Sequence, residues 1–437
     1  MEIDKLLKVT GGKLIGSFTP FSGFSFDSRE IRGGEVFIAL KGKRDGYNFI
    51  SNAFEKGASG AITSREANLP SGKFLIIVND TFEAYRKIAR SKRNLFSGDL
   101  VAVTGSVGKT TTKELIHHLF SPLLSVYRNL KSYNNMLGVI HTLANLPENT
   151  SLYVQEVGTN SYGEVAEIAR LLKPDISVVT AVEIAHTAGF SSLDELVKEK
   201  LSITEGVQVA VVPEKFRHLS RGKETITFGP EGDVKLLNFS FSHRGAEFTV
   251  SLFGKEIFLR TKVPGYSVIN ATLIALAVSE ALGINFKDFS ERLLSFSPPS
   301  MRCQIYNLKN GVVLIEDCYN ANPASMKNAV DILAVSPGKK VAVLGEMLEL
   351  GKFSEEEHEK LGKYLVKKGI NVLISYGKEM EATYKTFKGE KFFFTDRKEF
   401  VNFICEYNFS DSSVLIKGSR SNRLEEIAKI IKTRYGT

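Results

Sequence analysis

The sequence predicts an α/β protein of three domains, with a doubly wound central sheet and an open, Rossmann-like sheet toward the C-terminus. Three observations carry that prediction. Short apolar runs suited to buried strands recur from Val101-Ala102-Val103 to Val414-Leu415-Ile416. Segments with helical periodicity separate them, as the crossovers between parallel strands require. At 437 residues the chain also exceeds one ordinary domain of ~100–200 residues. The expected domains are 1–97, 98–297 and 298–437. Their borders are the Ser97-Gly98-Asp99 turn and the Ser297-Pro298-Pro299-Ser300 stretch, through which a helix cannot continue.

The first segment offers strands at Val36–Leu40 and Phe74–Val78 and a helix over Thr81–Arg93. In the second, strands at Val101–Val103, Leu152–Val154, Ile176–Val179 and Val209–Val212 alternate with helices after Lys109 and from Ser161. Residues 238–263 switch to a period of two and predict an antiparallel insertion, followed by a helix over Ser267–Leu282. The third segment repeats the α/β rhythm: Val341–Leu344, a helix over Ser354–Lys368, Val372–Ile374, a helix over Arg397–Tyr407, Val414–Ile416 and a last helix to Tyr435.

Hydrophobic residues make up 43% and charged residues 24% of the chain, the balance of a folded protein. The first residues lack the apolar core of a signal peptide, and no apolar run approaches the ~18 residues that span a bilayer. A cytoplasmic protein without membrane insertion is expected. The net charge of +8 would suit any polyanion, but the basic residues form no block or nucleic-acid-binding pattern, so no nucleic acid is expected as a partner. Cys303, Cys318 and Cys405 lie far apart without metal-ligand spacing and read as free thiols.

The strongest local signal is Val101-Ala102-Val103-Thr104-Gly105-Ser106-Val107-Gly108-Lys109-Thr110-Thr111-Thr112. An apolar strand runs into a glycine-bearing turn, a lysine and a helix start. Glycines let backbone N–H groups approach phosphate oxygens, and the helix N-terminus adds partial positive charge. Lys109 would reach the outer phosphates while Thr110 offers a hydroxyl to Mg²⁺. The pattern predicts a nucleoside triphosphate site over Gly105, Ser106, Val107, Gly108, Lys109, Thr110 and Thr111. Only Ser106 and Val107 separate the two glycines, a tighter loop than the commonest phosphate-loop spacing.

Further segments fall in chain order behind it. Glu156 ends the apolar strand Leu152–Val154 in Gln155-Glu156-Val157-Gly158, at the end of a strand where such sheets bind ligands. His186 follows the strand from Val178. Ser192 and Glu195 have the spacing of a capping box, and in the helix they open, Leu193, Leu196, Val197, Leu201 and Thr204 fall around one face. Lys200 lies on that face and Lys198 on the polar one. Lys200 has two readings: a stem on apolar surface with its ammonium in water, or a modified group, because a bare ammonium held there would be costly.

With the compact phosphate loop, Glu156, His186, Lys200 and the tract Glu316-Asp317-Cys318-Tyr319-Asn320-Ala321-Asn322-Pro323-Ala324-Ser325-Met326, the chain resembles the Mur ligase family over essentially its whole length. The resemblance implies a UDP-binding N-terminal domain, a central ATPase domain and a C-terminal domain for an incoming dipeptide. It implies ATP and Mg²⁺ as cofactors, with Thr110, Glu156, His186 and a carbamylated Lys200 as metal ligands. Lys109, His186 and Lys200 would be catalytic. Asn270, Arg302 and Asp317 would meet the nucleotide. Ser28, Arg29, Asn134, Asn135, Asn160, Asn320 and Arg420 would contact the other substrates.

The 317–326 tract resembles the family branch that joins D-alanyl-D-alanine to UDP-N-acetylmuramoyl-tripeptide, and a monomer is the expected working form. The family commonly has other residues where this sequence has Tyr47, Ala181, Ile184, Tyr266 and Glu346. Two rival readings are another amide ligase of the superfamily, folylpolyglutamate-type included, and a nucleotide-regulated binding module. The tract argues against the first. Glu156, His186 and Lys200 argue against the second, since a binder needs no second metal site.

Overall fold

The computed structural model describes every residue except 1, 184–189, 191, 286, 287 and 437. By contacts the chain forms two compact units. One comprises Met1–Val101, Leu123–Thr159 and Glu167–Pro174, and the other Ala102–Pro122, Asn160–Ala166 and Asp175–Thr437. The boundary cuts through the segment expected to form the central domain, whose residues 123–159 and 167–174 fall in the first unit and 175–297 in the second.

The N-terminal segment runs α1 (Ile3–Thr10), β1 (Lys13–Gly16), β2 (Gly23–Ser25), β3 (Glu35–Ile38), α2 (Ile50–Glu55), β4 (Gly60–Thr63), β5 (Phe74–Ile77) and α3 (Thr81–Leu95). Its five-stranded sheet has the order β1-β5-β4-β3-β2. Only β1 is antiparallel, paired with β5. Phe37, Ala61, Leu75, Ile50 and Ala53 pack into one buried cluster. Asp80 opens α3 by accepting a hydrogen bond from Glu83 N, satisfying a helix-end donor that would otherwise need water.

The middle of the chain runs β6 (Asp99–Thr104), α4 (Lys109–Phe120), β7 (Val126–Arg128), α5 (Met136–Ala144), β8 (Leu152–Glu156), α6 (Glu164–Leu172), β9 (Ile176–Val179), α7 (Leu193–Leu201) and β10 (Val209–Pro213). It continues with β11 (Glu224–Phe228), β12 (Val234–Ser242), β13 (Gly245–Leu252), β14 (Lys255–Thr261), α8 (Tyr266–Ala281) and α9 (Phe289–Ser295). Nine strands follow the order β14-β13-β12-β11-β10-β9-β6-β8-β7. Strands β9, β10 and β11 pair in parallel, whereas β12, β13 and β14 form the expected antiparallel insertion. The order jumps at β6, and such a switch leaves a crevice at the strand ends where ligands bind. The phosphate loop leaves β6 at that end.

The C-terminal segment contains β15 (Gln304–Asn307), β16 (Val313–Glu316), α10 (Pro323–Ala334), β17 (Lys339–Gly345), α11 (Ser354–Lys367), β18 (Val372–Tyr376), α12 (Met380–Thr386), β19 (Glu390–Phe394), α13 (Arg397–Glu406), β20 (Ser412–Lys417) and α14 (Glu425–Arg434). The sheet order is β15-β16-β20-β17-β18-β19, parallel except for β15 against β16. The period of two explains its two buried layers. Ala342, Leu344, Leu373 and Leu415 face α10 and α11 residues such as Val330 and Leu361. Val341, Val343, Ile374 and Val414 face Phe400 of α13 and Ile427 of α14.

Helix α10 begins with a capping box: Asn322 Oδ1 accepts from Ser325 N at 2.9 Å, and Ser325 Oγ accepts from Asn322 N at 3.1 Å. Pro323 supplies a fixed φ where no N–H is needed. Asn322→Ala should therefore destabilise the fold by about 1 kcal/mol, read as a lower midpoint in denaturant with an unchanged slope. An unchanged midpoint would mean that the cap contributes nothing. Among the described residues no helix is long and apolar enough to cross a membrane, and all three cysteines are unpaired.

Candidate active site

The phosphate loop has the backbone its sequence requires. Gly105 and Gly108 adopt φ +146° and +83°, a region costly to residues with a Cβ. A Cβ on Gly105 would also lie 2.0 Å from Thr180 Oγ1. Thr180, buried at the end of β9, donates to Val107 O at 2.5 Å. Ser106 N donates to Ala181 O at 2.7 Å, and Ser106 Oγ to Glu183 O at 3.0 Å. The segment after β9 thus braces the loop from behind, and the Ser106 N–H that sequence reasoning offers to phosphate already has a protein acceptor. Lys109 Nζ donates to Gly105 O at 2.7 Å, which folds the ammonium over the loop. Gly108 opens α4 without a side-chain cap, so the first N–H groups of α4 and its dipole face the place where phosphates would lie.

Asn270, on α8, donates to Thr180 O at 3.4 Å, which places it beside the same brace. Helix α7 carries Lys200 and starts at Ser192, whose side chain accepts from Glu195 N at 3.1 Å. The apolar face differs from expectation at one end: Leu193 is 46% exposed, whereas Leu196 is fully buried. The first turn of the helix extends past the core that Leu196 reaches. The helix ends at Leu201, and Ser202–Thr204 form a tighter turn. Lys200 is only 2% exposed, so its head does not snorkel to bulk water; Lys198 is exposed, as its place on the polar side predicts.

Glu199 is buried too, at 1%, and no periodicity argument had pointed to it. Its two carboxylate oxygens accept from Gly163 N and Val165 N, each at 2.7 Å. It therefore caps α6 from α7 and ties the Lys200 helix to the segment that carries Asn160. Asn160 itself is exposed, and its N–H donates to Glu164 Oε2 at 2.7 Å. His186 lies outside the described residues.

In the first unit, Glu156 ends β8 and is 3% exposed. Its Oε1 accepts from Asn134 Nδ2 at 2.9 Å, and its N–H donates to the buried Asn129 Oδ1 at 2.8 Å. Asn134 thus orients this carboxylate, while Asn129, which sequence reasoning missed, holds the Glu156 backbone. Asn135 uses its side-chain oxygen to cap α5 at Gly138 N. Ser28 is buried in a short turn, while Arg29, mostly exposed, forms a bidentate pair with Asp27. The Arg29 hydrogen bonds hold the Asp27 carboxyl below its ordinary range.

In the C-terminal segment, Arg302 lies 4.2 Å over the Tyr319 ring. Asp317 accepts from Cys303 N at 3.1 Å and pairs with Lys417 at 2.6 Å. Asn320 is exposed, and Arg420 is about half exposed, 3.1 Å from Glu425. The geometry brings Arg302, Asp317 and Asn320 onto adjoining loops at one end of the sheet.

A glycine turn with a lysine over it, at the switch point of a doubly wound sheet and followed by a second open α/β sheet, defines a phosphate-loop nucleotide enzyme. Family models match in three consecutive stretches: the Mur ligase family catalytic domain over residues 20–97, the Mur ligase middle domain over 103–279 and the Mur ligase glutamate ligase domain over 301–420. A UDP-N-acetylmuramoyl-tripeptide--D-alanyl-D-alanine ligase of Bacillus subtilis is 31% identical over 427 residues, covering 94% of this chain and 93% of that protein. MurF of Acinetobacter baumannii superposes with a TM-score of 0.89 at 27% identity, covering 98% of both chains. MurF ligase of Thermotoga maritima, solved in complex with ADP, gives 0.82 at 27%, covering 96% of this chain and 98% of that one. The chain belongs to the Mur ligase family.

Proposed function

We propose that this protein joins D-alanyl-D-alanine to UDP-N-acetylmuramoyl-tripeptide with conversion of ATP to ADP and phosphate, a step of peptidoglycan precursor synthesis. The observation that carries this reading is likeness along nearly the full chain to relatives named for that reaction, together with the glycine loop and Lys109 at the end of β6.

The terminal carboxylate of the tripeptide attacks the γ-phosphorus, and the bond to the β-phosphate oxygen breaks, releasing ADP and leaving an acyl phosphate. The amine of D-alanyl-D-alanine then attacks the acyl carbon; phosphate departs and the amine loses a proton. Lys109 and the first N–H groups of α4 offset charge on the phosphoryl oxygens, which is where most of the benefit in phosphoryl transfer arises. Asn270, Arg302 and Asp317 hold the nucleotide. Ser28, Arg29, Asn134, Asn135 and Asn160 serve the UDP-linked substrate, and Asn320 serves the dipeptide.

Among the described residues no three His, Cys, Asp or Glu side chains gather as a metal cage. Mg²⁺ commonly takes one or two carboxylates, a hydroxyl and phosphate oxygens instead; the Thr110 hydroxyl in one unit and the buried Glu156 carboxylate in the other are each of that donor type. Mg²⁺ would supply positive charge beside the phosphates. Lys200 fits as a carbamate: its uncharged amine attacks CO₂, the N–C bond forms and a proton leaves, so a buried cation becomes an oxygen ligand of charge −1. His186 completes the set carried over by resemblance.

The test is ADP release by the purified protein. It should require both UDP-N-acetylmuramoyl-tripeptide and D-alanyl-D-alanine, and release with ATP alone at the full rate would contradict the reading. We assign Arg420 to the dipeptide carboxylate by resemblance, since its fork of donors suits a carboxylate. Arg420→Ala should raise the KM for D-alanyl-D-alanine by about tenfold while leaving that for ATP nearly unchanged; equal rises for both would assign Arg420 to the nucleotide or to the fold.

A further inference from the structure

Lys417, the last residue of β20, is 2% exposed. Its ammonium has three donors, and three acceptors on one loop face them: Asp317 Oδ2 at 2.6 Å, Asp317 O at 3.3 Å and Asn320 O at 3.1 Å. The loop is also held by Asp317 N donating to Ile416 O and Tyr319 N donating to Met301 O. The second Asp317 oxygen takes the N–H of Cys303, the residue after Arg302. Met301 and Cys303, on either side of Arg302, have φ of +61° and +50°. That left-handed backbone persists in residues other than glycine only where surroundings hold it.

We propose that Lys417 is a positioning residue that fixes the nucleotide-facing Asp317 and Arg302 and the dipeptide-facing Asn320 as one piece. The proposal rests on the substrate-binding roles of Asp317, Arg302 and Asn320 under the proposed function. A buried ammonium is tolerated only when paired and hydrogen-bonded, and here its partners are the backbone and side chain of the loop that meets two substrates. Without it, two carbonyls and a largely buried carboxylate lose their donor together. The loop then relaxes toward water, carrying Asp317 away from the nucleotide and Asn320 away from the dipeptide. Small displacements of such groups are expensive because binding and rate depend on geometry near the ångström scale.

The experiment compares Lys417→Met and Lys417→Arg with the parent protein, measuring kcat, the KM of each of the three substrates and thermal unfolding. Lys417→Met should raise the KM for ATP and that for D-alanyl-D-alanine by about tenfold each, with the KM for UDP-N-acetylmuramoyl-tripeptide changed by less than about twofold. Lys417→Arg keeps the charge with a different donor geometry and should recover part of both losses.

A lower unfolding temperature with all three KM values unchanged, or raised alike, would overturn the proposal in favour of a purely structural lysine. So would a rise confined to one substrate. If Lys417→Met does not fold, the double variant Lys417→Met with Asp317→Asn removes the unpaired carboxylate and carries the same test on the D-alanyl-D-alanine KM. Asp317→Ala separates the two levels of inference. If it leaves the ATP KM unchanged, the nucleotide role of Asp317 and the proposal fall together; if it raises that KM while Lys417→Met does not, the proposal alone falls.

Discussion

Replacing Lys109 by alanine should lower kcat by ~10² or more at saturating ATP, the scale for losing one preorganised electrostatic group. The structure makes this a clean experiment. Lys109 is the first residue of α4, and its Nζ reaches back to carbonyls of its own loop, Gly105 O at 2.7 Å and Ser106 O at 3.5 Å. Alanine is the best helix former, so the variant should unfold at nearly the temperature of the parent. The glycine conformations depend on Thr180 and the segment after β9, which the substitution leaves in place. Near-normal turnover at saturating ATP would remove Lys109 from the chemistry.

Lys200→Ala should be the other severe variant, retaining less than about a hundredth of the activity. The reason is charge. At 2% exposure an unmodified ammonium beside the proposed Mg²⁺ would meet repulsion of several kcal/mol even at an effective dielectric of ~20, whereas the proposed carbamate brings an anionic oxygen. A small carboxylic acid in the medium should restore part of the activity by placing an anion in the vacated space. Protein equilibrated with isotope-labelled bicarbonate should show a carbamate carbon resonance that is missing from Lys200→Ala. Lys198 and Glu205 are exposed and serve as controls whose replacement should change little. Full activity in Lys200→Ala, or no carbamate resonance in the parent, would sink this assignment.

Much of the architecture was legible in the sequence because burial on both faces of a parallel sheet demands short, continuous apolar strands. The runs at Val101, Ile176, Val341 and Val414 all lie in strands of the structure. The switch to alternation after residue 238 marks a real change to antiparallel pairing. Strand β19, with its sequence Glu-Lys-Phe-Phe-Phe, was harder to read. Its residues are at most half-buried at the sheet edge, so neither alternation nor a fully apolar run announces it.

In the candidate site, the phosphate loop was legible because its chemistry is local: glycines, lysine and helix start follow one another in the chain. Ser192 was legible as a cap for the same reason. Leu193 was misjudged, since helical periodicity gives the direction of a face but not how far along the helix the neighbouring core extends. Thr180, Asn129, Glu199 and Lys417 were not singled out at all. Each acts on a segment distant in sequence: Lys417 on Asp317 and Asn320, Glu199 on Gly163 and Val165, Thr180 on the loop at Val107, and Asn129 on Glu156.

By itself, then, the sequence determined the α/β class, the alternation of strands and helices, the phosphate loop and the family resemblance, all of which reside in short-range order or in residue identity. Only the tertiary structure decided which buried charges are paired and by what. The cost of burying Glu199, Lys200 or Lys417 depends on the acceptors, donors and solvent that surround each side chain once distant strands and loops have met, and no spacing along the chain encodes those distances.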